Sequence, residues 1–325
     1  MQVRLPVPSV VYDTYWKFAC YRQDVFFKRL LDVGVISKDP IIANFKFTNA
    51  YRILDRVSQY LVKDVIYDRN FRYSNQDVIF RIILFKLFNK IETWEYIQKN
   101  VGHVSIANYD FVWWDQLLTS AKKEGRVLYS NAYMMASGAG GFKVNYKHSA
   151  HLRLLQLMIE DDFPSKVMEC RSMKQVFDLL LSYPFIGKFL AYQYATDINY
   201  SETVDFSESE FTMPGPGAAD GIRKCFSDYS GYGGSDLIRY MYDHQDVEFK
   251  RLDLNFRRIG DRELQLIDIQ NLFCEFDKYC RVAHPEVSGI SNRTRIKQKF
   301  KPNYNPIDFF FPPKWNVDIQ DFYGY

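Results

Sequence analysis

Apolar residues recur at helical spacing along most of the chain, and polar breaks divide that pattern into segments. Tyr12 to Leu31 reads as a first helix, closed by Asp39-Pro40. The run from Phe45 onward predicts a second helix, capped by Thr48 or Asn49. Within it Arg52, Asp55, Arg56 and Gln59 fall at i, i+3, i+4 and i+7, which makes one polar stripe. Such a stripe serves either as a solvated ion-pair face or as a face that reads DNA. Residues 77–98 are apolar all round, the mark of a central buried helix, and Asn89 and Lys90 interrupt its end. Polar groups in that position either make structural hydrogen bonds or line a pocket.

Asp110–Lys123 predicts another helix, with Trp113 and Trp114 in the core, and 151–181 predicts two more, parted near Asp162-Phe163-Pro164. Pro184 suits a helix start, and Gly187 and Ala191 would permit close helix packing. Ser137–Gly141 is glycine-rich, but no Gly-Lys-Ser/Thr follows it, so it reads as a flexible turn rather than a nucleotide-phosphate loop. His148 and His151 have no matching ligand cluster, which argues against a metal site. Tyr192, Gln193, Asp197 and Asn199 gather aromatic and polar groups late in the next helix. They are either satisfied core residues or walls of a pocket that stacks a flipped base.

Pro214-Gly-Pro-Gly217 cannot sit inside a helix, because proline removes donors and glycine admits left-handed backbone. A short helix follows at once, and its first N–H groups have no intrahelical partner. Amides at Gly215, Gly217 and Ala218, with Lys224 nearby, would therefore suit a phosphate; an ordinary helix–helix corner is the other reading. In Leu266-Ile267-Asp268-Ile269 a lone carboxylate is set between apolar residues. Asp268 reads as a helix N-cap, a role compatible with a catalytic carboxylate that stays ionised.

Between these two stretches, 228–235 reads as loop, 236–249 as helix and 251–263 as polar connection. Residues 287–307 contain no acid but carry Arg293, Arg295, Lys297, Lys299 and Lys301. Their alternate spacing describes an extended basic strip that could track phosphates, or else a solvated tail. The aromatic end, Phe309 to Phe311 and Trp315, is expected to dock on the body. The expected organisation is an N-terminal helical extension (1–40), a helical domain (41–285) and a basic, aromatic tail (286–325), with an all-α fold.

Composition narrows this picture. An apolar content of 47% over 325 residues allows a sizeable core, and 17% aromatics is rich. A formal charge of +3 is modest, so nucleic-acid affinity has to come from local patches. Five cysteines without a CxxC pair point to a reduced, cytoplasmic setting without a zinc ribbon or iron–sulfur cluster. No signal peptide or membrane-spanning run is expected.

Five ordered motifs together carry a family resemblance: 47–60, 83–94, 185–193, Pro214–Gly217 and 266–275. They resemble the helical domain of 5-hydroxymethyluracil DNA kinases and α-glutamyl/putrescinyl thymine pyrophosphorylases, a divergent branch of helix-hairpin-helix DNA glycosylases. Some relatives are bacterial anti-phage enzymes that excise glucosylated hydroxymethylcytosine. The resemblance implies an all-α, helix-hairpin-helix glycosylase-like fold of two helical lobes with a cleft. It implies Asp268 as catalytic carboxylate, with Asp197 in reserve. DNA contacts are expected at Gly215, Gly217, Ala218, Lys224, Asn89, Lys90, Arg293 and Arg295. Tyr192, Gln193, Gln270, Asn271, Asn49 and Arg52 are expected to form the base pocket. Where bifunctional glycosylases carry a nucleophilic lysine stands Ala219, so a Schiff base is not expected. The expected partner is double-stranded DNA with modified bases, in a bacterial cell, with no cofactor, metal or protein partner required. The expected activity is monofunctional excision of a hypermodified pyrimidine. The alternatives are a transferase acting on pyrophosphorylated hydroxymethyluracil and a non-catalytic DNA-binding module. With no kinase motif in the chain, a kinase role for it alone is not expected.

Overall fold

The structure, a computed structural model, describes residues 4–31, 37–133, 135–301 and 308–322. Its α-helices in chain order are α1 (Tyr12–Leu30), α2 (Pro40–Asn44), α3 (Arg56–Tyr60), α4 (Asn75–Phe88), α5 (Ile91–Val101), α6 (Phe111–Lys123), α7 (Lys147–Glu160), α8 (Phe163–Glu169), α9 (Met173–Leu181), α10 (Lys188–Ile198), α11 (Pro216–Cys225), α12 (Gly234–Arg251) and α13 (Leu266–Ala283). Val7–Pro8 pairs antiparallel with Phe226–Asp228, so the fold is predominantly helical with one small ribbon. No helix of the described residues is long and apolar enough to cross a membrane.

The chain divides into two compact units that do not follow its linear order. One comprises the described residues of Met1–Asp55, Glu208–Phe309 and Asn316–Tyr325, and the other comprises Arg56–Ser207 and Phe310–Trp315. In the first unit α13 is the hub, buried along nearly its whole length. Tyr15 of α1 meets Phe273 and Phe276 at ring-centroid distances of 4.7 and 5.5 Å, and Trp16 meets Phe249 of α12 at 5.1 Å. These edge and tilted contacts account for much of the aromatic content of this unit. The aromatic end docks as expected where it is described. Phe309 packs on Phe26 within the first unit, while Phe310 packs on Tyr67 and Trp315 on Tyr200 within the second.

In the second unit α4 is the buried helix that its all-round apolar pattern predicted. Ser74 caps it, accepting from Asp77 N–H, and Asn89 ends it in the left-handed conformation. Arg81 is wholly buried, and donates to the Val65 and Val104 carbonyls at 2.9 and 3.2 Å while pairing with Asp68 at 3.2 Å. A buried guanidinium is tolerable only with such partners, and these tie the π-helical Leu61–Ile66 segment to α4.

Several sequence expectations need correction. Residues 45–51 are not helical, so neither Thr48 nor Asn49 caps a helix; a 3-10 turn at Arg52–Leu54 precedes α3. The expected stripe is consequently broken at Asp55. Asp39 and Pro40 open α2 rather than simply closing α1, with Asp39 accepting from Ile41 and Ile42 N–H. Trp114 is buried but Trp113 is exposed, because α6 turns only one of two adjacent positions inward. Residues 147–181 form three helices rather than two, as the chain breaks again at Cys170–Ser172. After Pro184, Phe185 takes a left-handed φ of 66°, so α10 begins only at Lys188. Gly187 faces open space instead of a helix.

The close approach lies elsewhere, where α11 crosses α13. A Cβ built on Gly221 would run into the Phe273 carbonyl, and one on Gly217 into Cys274 Sγ. Backbone cannot yield as a side-chain tip can, so Gly221→Ala is expected to lower stability by about 1–3 kcal/mol. A urea-denaturation midpoint equal to that of the parent would contradict this packing.

Candidate active site

The Asp268 carboxyl sits in the first turn of α13, 5% exposed. The structure moves it from the expected N-cap to the third helical position, with Gln265 as N-cap. One carboxyl oxygen accepts from Gln265 N–H at 2.9 Å and the other from Arg52 N–H at 2.7 Å. The first bond is half of a capping box, and the second reaches across to a segment distant in sequence. Burial pushes the Asp268 pKa up to about 6, against the pull of these two bonds and of Arg262. The group is therefore still a carboxylate at neutral pH.

The same face of α13 holds the whole 48–52 segment. Asn271 Nδ2 donates to Thr48 Oγ1 at 3.0 Å and to the Asn49 carbonyl at 3.4 Å. Thr48 N–H donates to Glu275 Oε2 at 2.9 Å, and Arg22 Nε to the Thr48 carbonyl at 2.9 Å. Asn49 N–H goes to Asp55 Oδ1 at 3.0 Å, and Asn49 Nδ2 to the Leu54 carbonyl at 3.0 Å. The Thr48, Asn49 and Arg52 amides are thus taken by the carboxyls of Glu275, Asp55 and Asp268, and the segment follows those acids in backbone that is not α-helical. Asp268, Asn271 and Glu275 recur at i, i+3 and i+7, so one helix face meets the segment. Arg52 is buried here rather than displayed on a stripe, and Gln270 is buried on α13. Asp55 and Glu275, which the site reading left out, were detectable in principle: Asp55 from the stripe and Glu275 from its spacing to Asp268.

The hairpin lies in this unit too. Gly215 is the N-cap of α11, and the first intrahelical bond runs from Ala219 N–H to the Gly215 carbonyl. The Gly217 and Ala218 amides precede that bond, the position an anion-binding helix start offers, but Ala218 and Gly215 are buried, and only Gly217 is partly exposed. Lys224, however, is a correction. It is 2% exposed and lies 3.0 Å from Asp277 Oδ1, an ion pair shared with Arg281. It therefore clamps α11 to α13 and is not presented to a phosphate. Arg293 and Arg295 are exposed, and Arg293 pairs with Asp220 of α11 at 2.8 Å.

The remaining candidates belong to the second unit. Asp197 of α10 is fully buried and pairs with Lys86 at 3.2 Å. Lys86 also donates to Asn89 Oδ1 at 2.8 Å, and Asn89 donates on to Ser130 at 3.2 Å. Asn89 thus makes structural hydrogen bonds and is 3% exposed, against the expectation of a DNA contact. Lys90 remains partly exposed beside Glu92 at 2.9 Å. Tyr192 and Gln193 are both buried on α10. The structure thus gathers Asp268, Gln270, Asn271, Asn49, Arg52 and the hairpin in one unit, and Asp197, Asn89, Lys90, Tyr192 and Gln193 in the other. The glycine-rich turn at 137–141 packs on Phe185, and His151 sits against the Ala136 carbonyl at 2.9 Å. Among the described residues no group of three or more His, Cys, Asp or Glu is placed to hold a metal.

The family model of the 5-hmdU DNA kinase helical domain matches residues 9–289. A 5-hmdU DNA kinase of Bacillus phage SP10 is 23% identical over 290 residues, which cover 83% of this chain and 45% of the phage protein. The chain thus spans less than half the length of that curated relative. No solved structure matches it.

Burial also raises the Asp55 pKa, to about 7 from an ordinary 3.8, although Asn49 N–H and Arg22 oppose it. A carboxyl raised in the folded state favours folding while it is protonated. That contribution is complete below pH 3.8 and disappears as the pH rises through about 7. Asp55→Asn keeps the acceptor for Asn49 and removes the titration. Relative to this variant, the parent is expected to lose on the order of a few kcal/mol between pH 4 and pH 7. Parallel pH–stability curves would contradict the assignment.

Proposed function

The chain belongs to the family of the 5-hmdU DNA kinase helical domain, and we propose that it is a monofunctional DNA glycosylase that excises a hypermodified pyrimidine. The observation that carries this reading is Asp268, a nearly buried carboxylate held by two backbone amides in the unit that also carries a phosphate-type helix start. Each of its oxygens keeps a second lone pair beyond the amide bond it accepts. As the bond from the sugar C1′ to the base nitrogen breaks, the base leaves with the electron pair and positive charge develops on the sugar. A fixed carboxylate stabilises that charge without having to reorganise. It also orients a water whose oxygen bonds to C1′, and the water's proton passes to the departing base. An abasic site remains. Ala219 offers no amine, so the chain stops at base removal.

In this reading the hairpin amides hold the DNA backbone, and Asn49, Arg52, Gln270 and Asn271 surround the extruded base. The modified pyrimidine favoured is glucosylated 5-hydroxymethylcytosine in phage DNA, which would make the activity a defence. Extrusion costs about a few kcal/mol, and the pocket has to return it. The phage relative is named for 5-hmdU in DNA, the pyrimidine of a second reading, in which the same carboxylate serves a transferase that replaces pyrophosphate on an activated hydroxymethyluracil with an amine.

Asp268→Asn keeps the side-chain shape and removes the charge, but its Nδ2 is a donor, so one of the two amides of Gln265 and Arg52 loses its acceptor. It is expected to bind duplex DNA as the parent does while losing base release by about 10²–10³-fold. Release by the parent should rise with pH up to about 6, where Asp268 ionises, and then level off. Base release undiminished in Asp268→Asn would remove Asp268 from the chemistry. Amine-dependent products with no abasic sites would favour the transferase.

A further inference from the structure

The family match ends at residue 289, and the structure holds residues 289–301 at several points. Gly289 passes Asp220 of α11 so closely that a Cβ there would lie 2.8 Å from Asp220 Oδ1. Asp220 is 1% exposed and accepts from Ser291 N–H at 2.7 Å, from Ser291 Oγ–H at 2.5 Å and from Arg293 at 2.8 Å. Further along, Arg281 donates to the Arg295 carbonyl at 3.0 Å. Lys46 N–H donates to the Gln298 carbonyl at 3.1 Å, and Phe300 N–H to the Asn44 carbonyl at 2.9 Å, around an antiparallel bridge between Phe45 and Lys299. Phe309 is seated on Phe26 of α1. A solvated tail would have no such anchors.

Between the anchors, Arg295, Lys297, Lys299 and Lys301 are all exposed, while the intervening Ile296 and Phe300 are half-buried. In extended backbone, alternate residues share a face and recur every ~6.6 Å. That interval is close to two nucleotide rises of one DNA strand, roughly 6.8 Å. Within 295–301 no apolar side chain is exposed, although Ile290 at the start of the strap is 65% exposed.

We propose that this pinned strap is a second DNA-backbone contact, which begins at the hairpin helix through Asp220 and lays four cations along the phosphates of a duplex. The contact is sequence-independent and indifferent to base modification, and it deepens the DNA reading above without requiring base release. Asp220 is a positioning residue for it, because it fixes where the strap starts.

The test uses the full chain with Arg295, Lys297, Lys299 and Lys301 all changed to Gln. Its comparator changes Lys17, Lys99, Lys123 and Lys250 to Gln, four exposed lysines elsewhere, so that both variants lose the same charge. Binding to unmodified duplex DNA is measured against salt. The strap variant should lose about 0.9 of the log–log salt slope per cation, and the comparator far less. Equal slopes for the two variants, or a strap variant that loses binding to anionic vesicles while keeping the parent's DNA slope, would overturn the proposal. The slope comparison needs only DNA binding, so it reads out even if the parent releases no base. Base release without a strap effect would leave the glycosylase reading standing.

Discussion

Backbone amides captured by the carboxylates of one helix organise the first unit. Helix α13 uses Asp268 and Glu275 to take N–H groups from Arg52 and Thr48, at 2.7 and 2.9 Å. A buried amide left unpaired costs about 1–3 kcal/mol, so each of these bonds fixes the backbone that donates it. Holding the 48–52 segment open and holding the Asp268 carboxylate in place are therefore one interaction seen from its two ends. Glycines make the other side of α13 accessible: Gly217 and Gly221 let α11 approach, and the Lys224–Asp277 pair locks it there. Breaking such a buried pair by removing one partner typically costs about 3–5 kcal/mol. The lysine at this position thus belongs to the fold.

How much of this could be read in the sequence depended on whether a pattern was local. Periodicity located α1, α4, α6, α12 and α13, because each buries a face or a whole circumference of contiguous residues. It failed at 45–55, where apolar spacing looked helical but acids more than 200 positions away hold the Thr48 and Arg52 amides, while 56–60 are helical as expected. Lys224 and Asn89 failed for a related reason. Polar side chains near a hairpin or a helix end look available to a ligand until the burial of their partners, Asp277 and Lys86, is known. Asp268 stood out because a single acid amid apolar residues is costly unless it is partnered. The identity of its partner, the backbone of Arg52, leaves no trace in sequence.

The electrostatic design follows from the same burial. Asp268 and Asp55 are both lifted towards neutrality by desolvation, and the amides they hold keep them from rising further. A carboxylate with a pKa near 6 is ionised at neutral pH yet reluctantly solvated, a state suited to meeting transient positive charge. The family match ends at residue 289, short of the exposed cations of the strap. In the proposed reading the buried carboxylate supplies the chemistry and the basic row the attachment.

The most direct measurement is mass spectrometry of what the parent protein liberates from DNA carrying glucosylated hydroxymethylcytosine, with unmodified DNA alongside. Free glucosylated base, matched one-for-one by abasic sites and absent from the unmodified DNA, is the result predicted. Intact modified DNA, or a modified base altered while still attached to its sugar, would contradict the account.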